Sequence, residues 1–156
     1  MSFKKKVFVL LMTAVLLTLS IWFLPYHCDS VNCLVKTTQK KTVLVKDIPI
    51  FVSVAETLVE KKRGLSDKGE LKENEGMLFI FDEPDKHGFW MKDMKFSIDI
   101  VWIQDNQIVF IEKNVSPDTY PTMFYPSKPA NLVLELPGGF CDAHSISVGD
   151  FLSEPQ

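Results

Sequence analysis

The chain has 156 residues, with 17 Lys and Arg against 20 Asp and Glu and a formal net charge of −3. Three of those cations are Lys4, Lys5 and Lys6, so everything after them carries 14 cations against 20 acids, a net of −6. A surface that acidic repels nucleic acid and anionic headgroups, which excludes a polyanion partner, and three cysteines are too few to build the fold.

After the lysines, Val7 to Leu24 is a run of eighteen uncharged, mostly apolar residues. As a helix it would be roughly 27 Å long, close to the hydrocarbon thickness of a bilayer. A cleaved signal peptide shares the basic start and apolar middle but needs small residues before the cut. The flank here is W-F-L-P-Y-H-C, from Trp22 to Cys28, and offers neither such residues nor a lipoprotein box. The expectation is an uncleaved signal anchor over residues 1–24. The lysines abut its start, whereas the next cations are Lys36, Lys40 and Lys41. That asymmetry places the N-terminus in the cytoplasm and the domain on the extracytoplasmic side of the cell membrane in a single pass, with Trp22 and Tyr26 in the exit-face aromatic belt. Cys28 and Cys33 lie where an oxidising compartment permits a short-loop disulfide, and unpaired thiols fit equally well.

Residues 25–41 read as a juxtamembrane linker, because V-K-T-T-Q-K-K has no hydrophobic period. One domain, residues 42–156, follows. Ile48, Ile50, Val52 and Val54 alternate as a strand, with Pro49 marking an edge or bulge. Ala55, Leu58, Val59 and Leu65 then share a helical face, with Glu56 and Glu60 early, Lys61, Lys62 and Arg63 late, and Gly64 as terminator. Beyond that helix the pattern is β: Met77 to Phe81, Gly88 to Lys92, Ile98 to Ile103, Gln107 to Glu112, Asn131 to Leu136 and Ile146 to Leu152. Short strands separated by Pro and Gly turns predict a mainly β fold, an antiparallel β-sandwich or small barrel with one short helix, preceded by the transmembrane helix. The connection from Lys113 to Pro129 holds four prolines with Tyr120, Phe124 and Tyr125. Loops of that length in small domains are commonly functional, and its aromatics argue against disorder.

Arg63-Gly64-Leu65, Gly76-Met77-Leu78-Phe79 with Phe81, Phe89-Trp90-Met91-Lys92, Asp99-Ile100, Leu134-Glu135 and Gly149-Asp150 run in one order along the chain. Together they resemble domain-of-unknown-function family 192, over about Ala55 to Asp150. The resemblance implies a small exported or membrane-anchored domain, largely β, and brings no activity, substrate or cofactor with it. Many relatives carry Met at the position of Ser66 and Asn at that of Asp93.

Several constellations carry possible chemistry. Arg63 is the only arginine, and its planar fork suits a carboxylate or phosphate; it serves either an anionic ligand or an internal ion pair with Asp93, Asp99 or Glu135. Asp99 and Glu135 interrupt apolar strands, where an unpaired charge is too costly. Strict alternation puts Asp99 on the face of Val101 and Ile103, and Glu135 on that of Val133. Two such acids are either structural or, alternatively, the carboxyl pair of a glycosidase-like hydrolase. His87, Met91 and Met94 beside Trp90 give a soft-metal alternative, a Cu(I) carrier, although strand alternation separates Met91 from Met94. Cys141 and His144 fall short of a zinc ligand set.

The reading favoured by the sequence is a membrane-tethered exported binding or interaction module. Arg63, Trp90, Lys92, Asp93 and Tyr120 form its ligand-binding surface, with no cofactor and no metal. Its partners are the membrane, through the N-terminal helix, and a small molecule, glycan or protein. Trp90 is placed beside Lys92 at a rim, because Phe89 and Met91 on the opposite strand face supply the core contacts. The anchor makes a direct prediction. The mature protein keeps its own N-terminus and stays in the membrane fraction through a high-salt wash; a soluble form beginning after Leu24 would instead identify a cleaved signal peptide.

Overall fold

Two alternating apolar runs start the domain. Lys40–Val45 (β1) and Ile48–Ala55 (β2) pair as an antiparallel hairpin around Lys46 and Asp47, both with positive φ, as such a tight turn requires. Lys40 and Lys41 lie opposite Ser53 and Val52, so the end of the expected linker is already strand. The computed structural model describes residues 39–155; Val7–Leu24, Cys28, Cys33 and most of the linker lie outside the described residues. Among the described residues, no helix is long and apolar enough to cross a membrane.

Pro49 sits before Phe51, where pairing of β2 with the next strand begins. Its segment is flanked by β1 alone, so the missing N–H leaves no ladder bond unmade. The next element, α1 (Leu58–Arg63), departs from expectation. Ala55 belongs to β2, the helix is six residues long, and it buries none of them; Leu58 and Val59 are 76% and 66% exposed. What holds α1 is its ends. Thr57 caps the start in a capping box with Glu60, whose Oε2 accepts the Thr57 N–H at 2.9 Å. Lys61, Lys62 and Arg63 complement the carbonyl end, and Gly64 takes φ +53 just beyond it.

The helix acts as a crossover. Glu75–Asp85 (β3) lies parallel to β2, with Phe51 opposite Glu75 and Ala55 opposite Phe79, and a parallel pair requires a long connection. The sheet is therefore mixed where an antiparallel one was expected. It continues through Ile98–Gln104 (β5), Gln107–Val115 (β6), Ala130–Pro137 (β8) and Leu152–Ser153 (β9), in the order β6-β5-β8-β3-β2-β1-β9. Phe89–Trp90 (β4) and Met123–Phe124 (β7) form a separate two-stranded ribbon. Of the expected last strand from Ile146, only its final residue is in a strand; Phe140–Ala143 (α2) and turns precede it.

One curled, half-barrel sheet, buried on both faces along its central strands, replaces a pair of stacked sheets. Its ends approach each other where Gln107 bridges Phe151, and Leu152 N–H donates to Asn106 O at 2.8 Å. Inside the curl pack Val43, Ile50, Val52, Val101, Ile103, Leu134 and Leu136. On the outer face Leu65, Met77, Phe79, Ile100, Trp102 and Val133 pack beneath Phe89 and Met91. Residues Ile98 to Ile103 of β5 are all buried, because successive side chains enter the two cores in turn.

Asp99 points into the inner core and is fully enclosed. Its Oδ1 accepts the Asn114 and Gly139 N–H groups at 2.7 and 2.9 Å, and its Oδ2 accepts that of Cys141 at 2.7 Å. One side chain thus ties β5 to β6 and to the turn that starts α2. Stranding these donors costs about 1–3 kcal/mol each. Asp99→Ala should lower unfolding free energy by about 3 kcal/mol or more, and Asp99→Asn, which keeps one acceptor oxygen, by about 1–3 kcal/mol. Urea denaturation checks this, and an unchanged Asp99→Asn midpoint would contradict the bracing role.

Candidate functional site

Alternation along β8 sends Leu134 and Leu136 inward and Val133 and Glu135 outward. Glu135 lies opposite Met77 of β3 and Ile100 of β5, both buried and apolar. Neither neighbour offers it a polar contact. It is only 5% exposed, and its Oε2 has no hydrogen-bond partner. Burial pushes its carboxyl up to about 8, so it is mainly protonated at neutral pH.

This acid forms part of the wall of a cavity of about 290 Å³. Phe79 of β3 and Phe89 of β4 line it with their rings edge to face, 4.9 Å between centroids. Phe81 lies 6.5 Å from Phe89 and carries the His87 ring flat against it at 3.6 Å. The His87 carbonyl accepts the Trp102 indole N–H at 2.9 Å, which fixes the 87–89 segment to the sheet. Gly88 is required here, since a Cβ would stand 2.5 Å from the Tyr125 ring and 2.7 Å from the Met123 methyl. That close approach lets β7 pair with β4, with Met123 opposite Trp90.

Trp90, Lys92, Arg63 and Met94 also line the cavity. Trp90 is 47% exposed, and the Tyr120 ring meets it edge to face at 6.1 Å. Lys92 Nζ stands 6.0 Å from the Trp90 ring, and Lys61 Nζ stands 4.4 Å over Phe81. Arg63 is exposed and pairs with Asp67 at 3.5 Å, so the expected ion pair with Asp93, Asp99 or Glu135 is not formed. Asp93 takes φ +58 in the turn after Trp90 and is not among the residues lining the cavity.

The two acids are separated by the sheet. Asp99 pairs across from Leu136 and Glu135 across from Ile100, on opposite faces, so no substrate reaches both. The glycosidase-like pair gives way to one bracing acid and one cavity acid. The soft-metal set divides as well: His87 and Met94 line the cavity, whereas Met91 is enclosed in the outer core at 1% exposure. His87 Nε2 lies 3.1 Å from the Glu83 carbonyl. Among the described residues, no three His, Cys, Asp or Glu side chains cluster to hold a metal ion. Burial first, then the neighbouring Asp99 carboxyl, push the Cys141 thiol well above its ordinary range, which suits an inert core residue. The sequence reading missed Lys61, Phe81, Phe89 and Met123 as site residues. Only the shared outward parity of Phe79 and Phe81 hinted at them.

A family model for DUF192, described as Uncharacterized ACR, matches residues 35–153. The chain belongs to this family. Two solved structures are similar to this DUF192 chain. One is a candidate transcription regulator from Sinorhizobium meliloti 1021, 27% identical with a TM-score of 0.70, covering 74% of this chain and 94% of that one. The other is a protein of unknown function from Novosphingobium aromaticivorans DSM 12444, 29% identical with a TM-score of 0.72, covering 77% and 89%. No curated protein matches significantly.

Glu135 has a measurable signature. Its folded-state pKa of about 8 lies above the ordinary 4.5, so the native state binds the extra proton between those values. Its share of stability is complete below about pH 4.5 and declines as pH rises toward 8, by about 1.4 kcal/mol per unit. Glu135→Met removes an unpartnered polar group and should raise stability by about 1–3 kcal/mol at acid pH, with a margin that widens up to about pH 8. Chemical denaturation at a series of pH values tests this; a less stable Glu135→Met at every pH would mean that the acid braces the fold.

Proposed function

We propose that this protein is a small-molecule binding module held at the membrane by Val7–Leu24, with its domain on the extracytoplasmic side. The observation that carries the binding reading is the Glu135 carboxyl, buried without a partner for Oε2 in the wall of an aromatic cavity. An unsatisfied buried polar group costs about 1–3 kcal/mol, and here apolar residues on both neighbouring strands offer nothing in return. A polar atom of a ligand seated against Oε2 recovers that cost, which is a reason to retain an acid at this position. Cavities of this kind, largely apolar with a few convergent polar groups, are the usual form of small-ligand sites, and about 290 Å³ suits a ligand of one or two rings.

The remaining features support the same reading. Phe89 and Trp90 offer rings to a flat ligand beside Phe81, whose own faces are covered by His87 and Lys61, and the packing of Trp102, His87 and Gly88 holds them in place beforehand. Preorganisation of that sort lowers the ordering cost of binding. The membrane placement rests on the lysine-flanked apolar run and on the chemistry of its flank.

Titration of the full-length protein with a panel of monocyclic and bicyclic fragments, followed by ¹H–¹⁵N spectra and thermal shift, tests the proposal. Hits should raise Tm and move the amide signals of Phe81, Phe89, Trp90 and Lys92 together. Trp90→Ala should abolish those shifts while changing Tm little, because the indole is half exposed. Shifts scattered over the inner core or the far edge of the sheet, or no shifts, would count against the cavity as a binding site.

A further inference from the structure

The charge around the cavity runs opposite to that of the whole chain. Formal net charge is −3, yet Lys61, Lys62, Arg63 and Lys92 line the cavity, and among the described residues Glu135 is the only acid that does. A neutral carboxyl group brings those cations no countercharge within the cavity, and Asp67, which pairs with Arg63, is exposed and does not line it. A protonated acid also acts as a donor, which can point its O–H at an acceptor oxygen of a ligand.

An acid enclosed by aromatic rings is, in other settings, how proteins capture ammonium groups. Two distances decide against that here. Lys61 Nζ already occupies the position over the Phe81 ring at 4.4 Å, and Lys92 Nζ stands 6.0 Å from the Trp90 ring. An incoming cation would meet two ammonium groups on the aromatic faces it needs. An incoming anion would meet those same groups as counter-ions, beside ring surface for its body.

We infer that the cavity takes a small planar organic anion, a carboxylate carried on an aromatic or heteroaromatic ring, with its charge between Lys61 and Lys92 and its ring against Phe89 and Trp90. The inference rests on the small-molecule reading above and narrows it to a ligand class. Lys61 and Lys92 select for the charge, the rings admit only a flat body, and Glu135 favours a ligand with an acceptor atom on its inner edge. Because the lysines are at the rim, the anion's contribution is modest and screened by salt.

A matched series separates the possibilities: indole-3-acetate, its uncharged amide indole-3-acetamide, and the cation tryptamine. Each is titrated into the full-length protein at low ionic strength, with Kd read from the amide shifts of Phe89, Trp90 and Lys92. Indole-3-acetate should bind about threefold to tenfold more tightly than the amide and at least about tenfold more tightly than tryptamine. The double variant Lys61→Gln, Lys92→Gln should bring acetate to within about twofold of the amide measured in that same variant, and 0.5 M NaCl should compress the difference in the same way. Tryptamine or the amide binding as tightly as the acetate would overturn the anion assignment while leaving the small-molecule reading intact. Cavity shifts from none of the three, or an acetate preference that survives in the double variant, would overturn the assignment; in the first case the binding reading loses its support as well.

Discussion

The central strands β3, β5 and β8 are covered on both faces and so have no solvent side along their middle residues, and most of this structure follows from that. In β5 and β8 every second side chain enters the inner core and every other one the outer core. Any polar residue in these strands must then find a partner within protein or remain unsatisfied. Asp99 faces the curl, where the loop ends of β6 and α2 bring three backbone N–H groups to it. Glu135, one register position away on the neighbouring strand, faces outward between Met77 and Ile100 and finds none for Oε2. The same constraint produces a brace in one core and an unsatisfied acid in the other.

The outer core is built differently from the inner one, and this opens the cavity. The inner core is closed by the curl of the sheet and by Phe140, Cys141 and Ile146. The outer core has no second sheet, only the β4–β7 ribbon, α1 and the segments around them. The ribbon is two residues per strand, too small to seal the whole face. Large aromatic rings bridge part of the gap, Phe79 to Phe89 to Trp102, and about 290 Å³ stays open above Glu135. Helix α1 brings its basic last turn to that opening. Its apolar Leu58 and Val59 face solvent, so this six-residue helix is held by its capping box and by the strands it connects, with no buried stripe.

Rigidity and function are linked through these contacts. The cavity wall between His87 and Trp90 is held by the Trp102 indole bond, the stacked Phe81 and His87 rings and the close passage of Tyr125 over Gly88. Such a wall keeps its shape without a ligand, so binding energy is not spent on ordering it. The exposed part, Trp90 with Tyr120 and Lys92, is left to adapt to what enters.

The sequence by itself determined the local elements. Alternation in Ile48 to Val54, Ile98 to Ile103 and Asn131 to Leu136 marks strands because period-two burial is a property of one chain segment and needs no partner to be recognised. It also determined the parity that sets Asp99 with Val101 and Glu135 with Val133. The run from Arg63 to Asp150 carried the family, and Trp90, Lys92 and Arg63 were legible as unusual residues. Pairing was decided only by tertiary structure. Nothing local to β2 or β3 states that they run parallel, so the crossover role of α1 and the burial of both sheet faces were not legible. Parity says which residues share a face of a strand, and not which face of a neighbouring strand it adjoins. For that reason the two acids read as a pair, although the register places the sheet between them. Lys61, Phe81, Phe89 and Met123 come from four separate segments, and only the packing of the ribbon and α1 onto the outer face gathers them around Glu135.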